Sequence, residues 1–212
     1  MYAHGRRALP AGLHTGLHRR HRCRKHRAFG PPAPVDGPLG LFNLIGLRPP
    51  VANDRTEVGH FEGDLIIGSR NRSAIVTVFD RASRFCLLAD LPEGHTAKAT
   101  LAGLVELFER VPGHLRRTLT WDQGREMAAH RDLVSMAGIE VFFAEPHSPW
   151  QRPTNENGNG LVRRYVGKGT DLSVYGVADL RAIEARVNTI PRRSLGWDTV
   201  TDRYDAAVAM TG

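Results

Sequence analysis

With 212 residues and an apolar fraction of 41%, the chain is long enough for one hydrophobic core with segments to spare, and its composition is that of a globular protein. Its two cysteines, Cys23 and Cys86, lie far apart without a Cys-x-x-Cys pair, which excludes a disulfide framework. The formal charge of +7 is concentrated at one end: residues 1–34 hold eight of the 29 Lys and Arg and no acid, leaving 21 bases against 22 acids elsewhere. The body is therefore near neutral. Charge alone says only that the tail can touch phosphate, and a case for DNA chemistry has to come from the motifs of the body.

Residues 1–50 are rich in Gly, Pro, Arg and His and read as a basic, disordered arm. A core over residues 51–212 follows. No segment approaches the roughly 20 apolar residues of a membrane span, and the basic start has no apolar stretch after it, so a cytoplasmic location without a membrane partner is expected. Three strand-like runs come first, over residues 60–67, 74–79 and 85–91, joined by turn-rich links short enough to make them antiparallel neighbours. A helix is predicted over 96–111, with Leu101, Leu104, Val105 and Phe108 on one face and Pro112 and Gly113 as its stop. A strand over 117–121, a helix over 125–137 and an apolar strand over 139–144 complete the alternation. After a loop with three prolines, a further helix is predicted to begin at Thr154 or Asn155, both favourable N-caps, and helical patterns at 177–189 and 201–210 close the chain. The expected architecture is α/β: a five-stranded mixed sheet flanked by helices, an order that matches the ribonuclease H-like fold.

Three carboxylates stand out against this frame. Asp64 interrupts an apolar strand, Asp122 ends the strand before the second helix, and Glu156 falls in the first turn of the third. Burial of Asp64 is costly unless something pairs with it. In-line cleavage of a phosphodiester needs an activated oxygen, a neutralised leaving oxygen and a rigid clamp, and two hard divalent ions, Mg²⁺ or Mn²⁺, held by carboxylates supply all three. Gly63 and Gly124, beside two of the carboxylates, would let backbone and substrate approach closely. Each acid also has a structural reading: Asp122 as a turn residue, Glu156 as a charge suited to a helix start, Asp64 as the partner of an arginine. His60 reads as a structural hydrogen-bonder, and Trp150 as a residue that packs its loop.

The segments GHFEGDLIIG (59–68), LTWDQG (119–124) and SPWQRPTNENGNGL (148–161) closely resemble the IS-thirty family of insertion-sequence transposases, within the retroviral-integrase-like group. The resemblance runs from about Arg48 to the C-terminus. It implies a ribonuclease H-like core whose catalytic and metal-binding triad is Asp64, Asp122 and Glu156, with 33 residues between the last two. It also implies hydrolysis of a strand at the terminal repeat of a mobile element, transfer of the freed 3′-hydroxyl to target DNA, and action as a homo-oligomer. Asn155, Asn157, Arg163, Arg164 and Lys168, on or just after the Glu156 helix, are placed to touch DNA. The chain departs from the family pattern at Gln123, Pro153, Val166, Gly167, Ile190 and Val200, and its first 50 residues do not show the family's helix-turn-helix region. A catalytically silent fragment that binds DNA or interferes with a full-length transposase is the alternative; a host ribonuclease H-like nuclease fits the motifs less well.

Overall fold

The computed structural model describes residues 35–37, 39–146 and 148–210; the basic run and Cys23 lie outside the described residues. Among the described residues, seven strands form the sheet: β1 (Val35–Gly37), β2 (Gly40–Leu44), β3 (His60–Ile67), β4 (Ala74–Asp80), β5 (Cys86–Leu91), β6 (Thr118–Trp121) and β7 (Glu140–Phe143). Their order is β1-β2-β7-β6-β3-β4-β5. The short links make β3, β4 and β5 antiparallel neighbours, as predicted. β6 and β7 run parallel to β3, after helical crossovers. The expected five-stranded mixed sheet is thus β5-β4-β3-β6-β7.

The other two strands revise the reading of residues 35–50 as part of a structureless arm. They form a hairpin whose second strand pairs in parallel with β7. The free edge of β7 presents unpaired N–H and C=O groups that another strand satisfies. Leu39 and Phe42 are buried in the process, and the Phe42 ring stands edge-on to Phe143 at 5.0 Å. Such a short apolar run, set among Gly and Pro, has no period that distinguishes it from a loop.

Helices α1 (Val51–Asp54), α2 (Ala97–Glu109), α3 (His130–Ala137), α4 (Pro153–Val162), α5 (Val177–Asn188) and α6 (Val200–Ala209) cover both faces. Strand parity decides which side chain meets which helix. The odd members of β3, Phe61 and Leu65, join Leu104, Leu107 and Phe108 of α2 and Leu133 of α3. The even member Ile66 packs with Val162 of α4 and with Leu180, Ile183 and Val187 of α5. β4, covered on both sides, is buried along its whole length. Glu62 and Asp64 share the parity of Ile66 and so belong to the α4 side.

α4 begins one residue earlier than predicted. Pro153 is its first residue, where a missing N–H costs nothing and a fixed φ favours the helix, so Thr154 and Asn155 fall inside the first turn. The predicted helix over 125–137 divides into a short 3₁₀ turn, Arg125–Met127, and α3. Among the described residues, no helix is long and apolar enough to cross a membrane.

The outer edge, β5, is closed by side chains of α5. The Leu88 N–H donates to Glu184 Oε1 at 2.5 Å. The Asn188 amide accepts from the Cys86 N–H at 2.8 Å and donates to its carbonyl at 3.0 Å. One side chain therefore imitates a neighbouring strand. Asn188→Ala leaves both Cys86 groups without a partner, at about 1–3 kcal/mol for each buried group left unsatisfied. The expected result is a lower urea midpoint at unchanged denaturant slope; an unchanged midpoint would show that the edge does not rely on this residue.

Candidate active site

The register of β3 against β6 brings two of the acids together. Phe61 lies opposite Leu119 and Glu62 opposite Thr120. Carried two residues further, the same register sets Asp122 beside Asp64 on the same face of the sheet. Their side chains are 47% and 35% exposed, so both open onto solvent, Asp122 just past the end of β6 and Asp64 from the middle of β3.

Between them lies the Arg152 guanidinium, 14% exposed, on the residue before α4. Its Nη2 donates to Asp122 Oδ2 at 3.2 Å, and its Nη1 lies 4.0 Å from Asp64 Oδ2. Nη1 also donates to the Gly63 carbonyl at 3.0 Å. A cation thus occupies the space between two hard oxygen donors. Asp122 Oδ1 is buried with no hydrogen-bond partner, an oxygen still open to a further electropositive neighbour. In donor chemistry, and in this free oxygen, the Asp pair fits a divalent ion.

Burial raises the Asp64 carboxyl above its ordinary pKa. Arg152 and a 2.8 Å hydrogen bond from the Leu65 N–H oppose that shift, while Asp122 and Glu126 add to it. Asn159 of α4 donates to Asp64 Oδ2 at 3.3 Å and to Asn155 Oδ1 at 2.9 Å.

Glu156 is exposed on the first turn of α4 and does not close a three-acid cluster: among the described residues, no group of three or more His, Cys, Asp or Glu side chains is gathered to hold a metal. It stands three residues before Asn159, which makes the two neighbours on the helix surface. The third acid is therefore adjacent to the residue already bonded to Asp64.

The candidate DNA contacts divide. Asn157, Arg163, Arg164 and Lys168 are exposed, but Asn155 is 1% exposed and its amide is directed into the protein, toward Glu62 and Thr77. Its N–H donates to Glu62 Oε2 at 2.9 Å, so Asn155 anchors the helix on β3 instead of facing solvent. Trp150, expected to pack, is 65% exposed. His60 is the expected structural residue: Nδ1 pairs with Thr118 Oγ1 at 2.9 Å, and Nε2 faces Glu57. The glycines serve packing. A Cβ on Gly63 would lie 2.1 Å from the Trp121 ring, and one on Gly124 would lie 2.0 Å from the Glu126 carboxylate.

Sequence reasoning missed Glu62, Arg152 and Asn159. Glu62 was visible in principle, since period-two alternation puts it on the same face as Asp64. It is fully buried, ion-paired with Arg81 and bonded to the start of α4. Asn159 follows Asn155 by four residues, the spacing of one helix face. Nothing in the proline-rich loop around Arg152 signals which way its side chain turns.

The family model of the integrase core domain matches residues 54–149. The transposase of insertion sequence IS1086 from Cupriavidus metallidurans is 50% identical over 153 residues, covering 72% of this chain and 45% of that protein. The transposase InsI of IS30A from Escherichia coli is 37% identical over 180 residues, covering 82% of this chain and 46% of its own length. The chain spans about half the length of the curated relatives it matches. Among solved structures, the catalytic core domain of BIV integrase superposes with a TM-score of 0.54 at 20% identity, over 72% of this chain and 97% of that one. The likeness shows the fold, which is ribonuclease H-like.

Two stability measurements test this geometry. A carboxyl whose folded pKa is raised destabilises the protein above its unfolded pKa, and the penalty fades as pH falls through the ordinary carboxylate range. Asp64→Asn is expected to raise the melting temperature at neutral pH, with the gain vanishing in acid; a lower melting temperature at neutral pH contradicts the assignment. Glu62→Ala leaves Arg81 buried and unpaired, and a loss of about 3–5 kcal/mol is expected in chemical denaturation.

Proposed function

The chain carries an integrase core domain and is homologous to IS30-family transposases over most of its length, and from that premise we propose that it is the catalytic core of a DNA transposase acting at insertion-sequence ends. The observation that supports this best is the in-register pair Asp64 and Asp122, open to solvent, with a cation between them and an unpartnered oxygen on Asp122.

Asp64 and Asp122 would hold Mg²⁺ or Mn²⁺, with Glu156 completing the ligand set from the neighbouring turn of α4. Two ions bound there would activate the attacking oxygen and neutralise the leaving one. Asn159 orients Asp64 by donating to it, and Asn155 keeps the first turn of α4 on β3 through Glu62. Arg152 balances the two carboxylates electrostatically and draws the loop before α4 onto β3 through the Gly63 carbonyl.

In the reaction, water breaks one P–O bond at a terminal repeat and leaves a 3′-hydroxyl. That hydroxyl attacks a phosphodiester of target DNA, forming a new P–O bond as the target's 3′-oxygen leaves. Asn157, Arg163, Arg164 and Lys168 would contact backbone phosphates along α4 and beyond it. The eight Lys and Arg of residues 1–34 would add sequence-independent affinity. Because two element ends are cut together, the acting form is a homo-oligomer, and its place is the cytoplasm.

A nicking and strand-transfer assay on supercoiled DNA with Mg²⁺ or Mn²⁺ tests the proposal. Wild type is expected to nick only with the metal. Asp64→Asn and Asp122→Asn should be at background, and Glu156→Gln should lose about 100-fold or more, the scale of removing a group that stabilises transition-state charge. Equal inactivity of folded wild type and variants would overturn the catalytic reading and favour a silent DNA-binding core.

A further inference from the structure

On the side of α4 away from the carboxylates lies a cavity of about 290 Å³, lined in part by Asn157 but by none of the three acids. Asn155 and Asn159 direct one stripe of the helix at Glu62 and Asp64, whereas Thr154, Asn157, Gly158 and Leu161, spaced i, i+3, i+4, i+7, line the cavity as a separate stripe. Gly158 allows α4 to sit against β4: a Cβ there would lie 2.4 Å from the Phe79 ring. The floor is therefore apolar, made of Phe79, Gly158 and Leu161.

The rim is cationic. Arg84, in the turn between β4 and β5, and Arg192, in the loop between α5 and α6, both line the cavity with Ser194. Both are half-buried. No carboxylate lies within 4.0 Å of either guanidinium among the described residues. Arg84 Nη1 donates to Thr154 Oγ1 at 2.6 Å, and Arg192 Nη2 to the Val187 carbonyl at 3.3 Å. Arg192 Nε is buried and has no partner. Two half-buried guanidiniums whose hydrogen bonds go to neutral oxygens, with no carboxylate in ion-pair range and one donor idle, suit an anion, and planar guanidinium forks match phosphate. The volume lies at the lower end of the roughly 300–1,000 Å³ of small-ligand pockets, which exceeds what phosphate alone requires.

Resting on the reading of this chain as a DNA-handling core, we propose that the cavity is a pocket for one unpaired nucleotide of a DNA strand, its phosphate between Arg84 and Arg192 and its base over Gly158. Pairing holds a base inside the duplex, so only a single-stranded or extruded nucleotide reaches such a floor. The pocket holds the strand without touching the reacting phosphodiester, and it favours DNA whose strands are locally separated.

The test is equilibrium binding of the full chain to a labelled single-stranded oligonucleotide and to the same sequence as a blunt duplex, followed by fluorescence anisotropy over a salt series. For Arg84→Gln with Arg192→Gln, single-strand affinity is expected to fall about tenfold, and the slope of log K against log salt by about 0.7, one phosphate contact. Duplex binding should stay unchanged. Ser194→Trp, on the exposed rim, fills the mouth without altering charge and should reproduce the loss in affinity; it keeps the test decisive if the double variant misfolds. Unchanged single-strand binding in folded variants overturns the pocket while leaving the transposase reading intact. Equal loss on single strand and duplex also overturns it, as the mark of a general phosphate contact. Tighter binding of a free deoxynucleoside monophosphate than of the strand would move the site from DNA to a free nucleotide. Wild type that binds neither form of DNA brings down the pocket and the reading together.

Discussion

The start of α4 is fixed by one buried carboxylate. Glu62 is fully inside the protein, where an unpaired charge is intolerable, and its two oxygens are used differently: one takes the Arg81 guanidinium, the other the N–H of Asn155. Arg81 in turn donates through Nε to the Ala52 carbonyl at 2.8 Å and so reaches α1. Arg48 lies close by, donating to Thr120 Oγ1 on β6 at 2.7 Å; burial, and then the charge of Arg81, lowers it to about 10. A buried ion pair adds little net stability, because desolvation consumes most of the attraction. What it contributes here is position. Three strands and two helices converge on Glu62, and it sets where the first turn of α4 meets the sheet.

The carboxylate pair follows from that placement together with the sheet register. The β3–β6 register, carried past Glu62 and Thr120, brings Asp122 toward Asp64, and its charge adds to the rise that burial causes in the Asp64 carboxyl. Arg152 relieves this repulsion, but only because α4 begins at Pro153, the residue after it. Pro153, one of the departures from the family pattern, therefore has a local structural sense: it restricts the backbone at the point where the guanidinium turns back over the pair. Gln123, another departure from the pattern, is also used, its Nε2 donating to the Ala144 carbonyl at 3.0 Å to tie the Asp122 turn to the end of β7. Val166 and Val200 are both buried in the structure. These departures are built into the packing, and none displaces Asp64 or Asp122.

How much was legible in the sequence depended on whether a period existed to be read. The strand over 60–67 showed its alternation and was bounded correctly, as was the existence of every helix from α2 onward. The ends of α4 and α3 moved because Pro153 and the Arg125–Met127 turn obey local backbone rules that periodicity does not carry. The β1–β2 hairpin was invisible for a different reason: its stability comes from β7, more than 90 residues away. At the site, residue type located Asp64 and Asp122, but it could not separate Asn155 from Asn157. Both are polar, adjacent to Glu156 and near the helix start. Only the rotation of α4 on the sheet, set by Glu62, buries the first and exposes the second.

That rotation also explains why one short helix carries so much polar sequence without being a solvent-exposed face. Of its ten residues, Asn155 and Asn159 bond toward the strands that hold the carboxylates, while Thr154 takes the Arg84 guanidinium on the opposite flank. Gly158 lies between, where any side chain would push the helix off Phe79. A displacement of α4 along or around its axis therefore changes the support of Asp64 and the shape of the Arg84 and Arg192 cavity at once. Glycine at 158 is what permits this arrangement: it brings the helix close enough to the sheet for neutral side chains on either flank to reach the groups they bond.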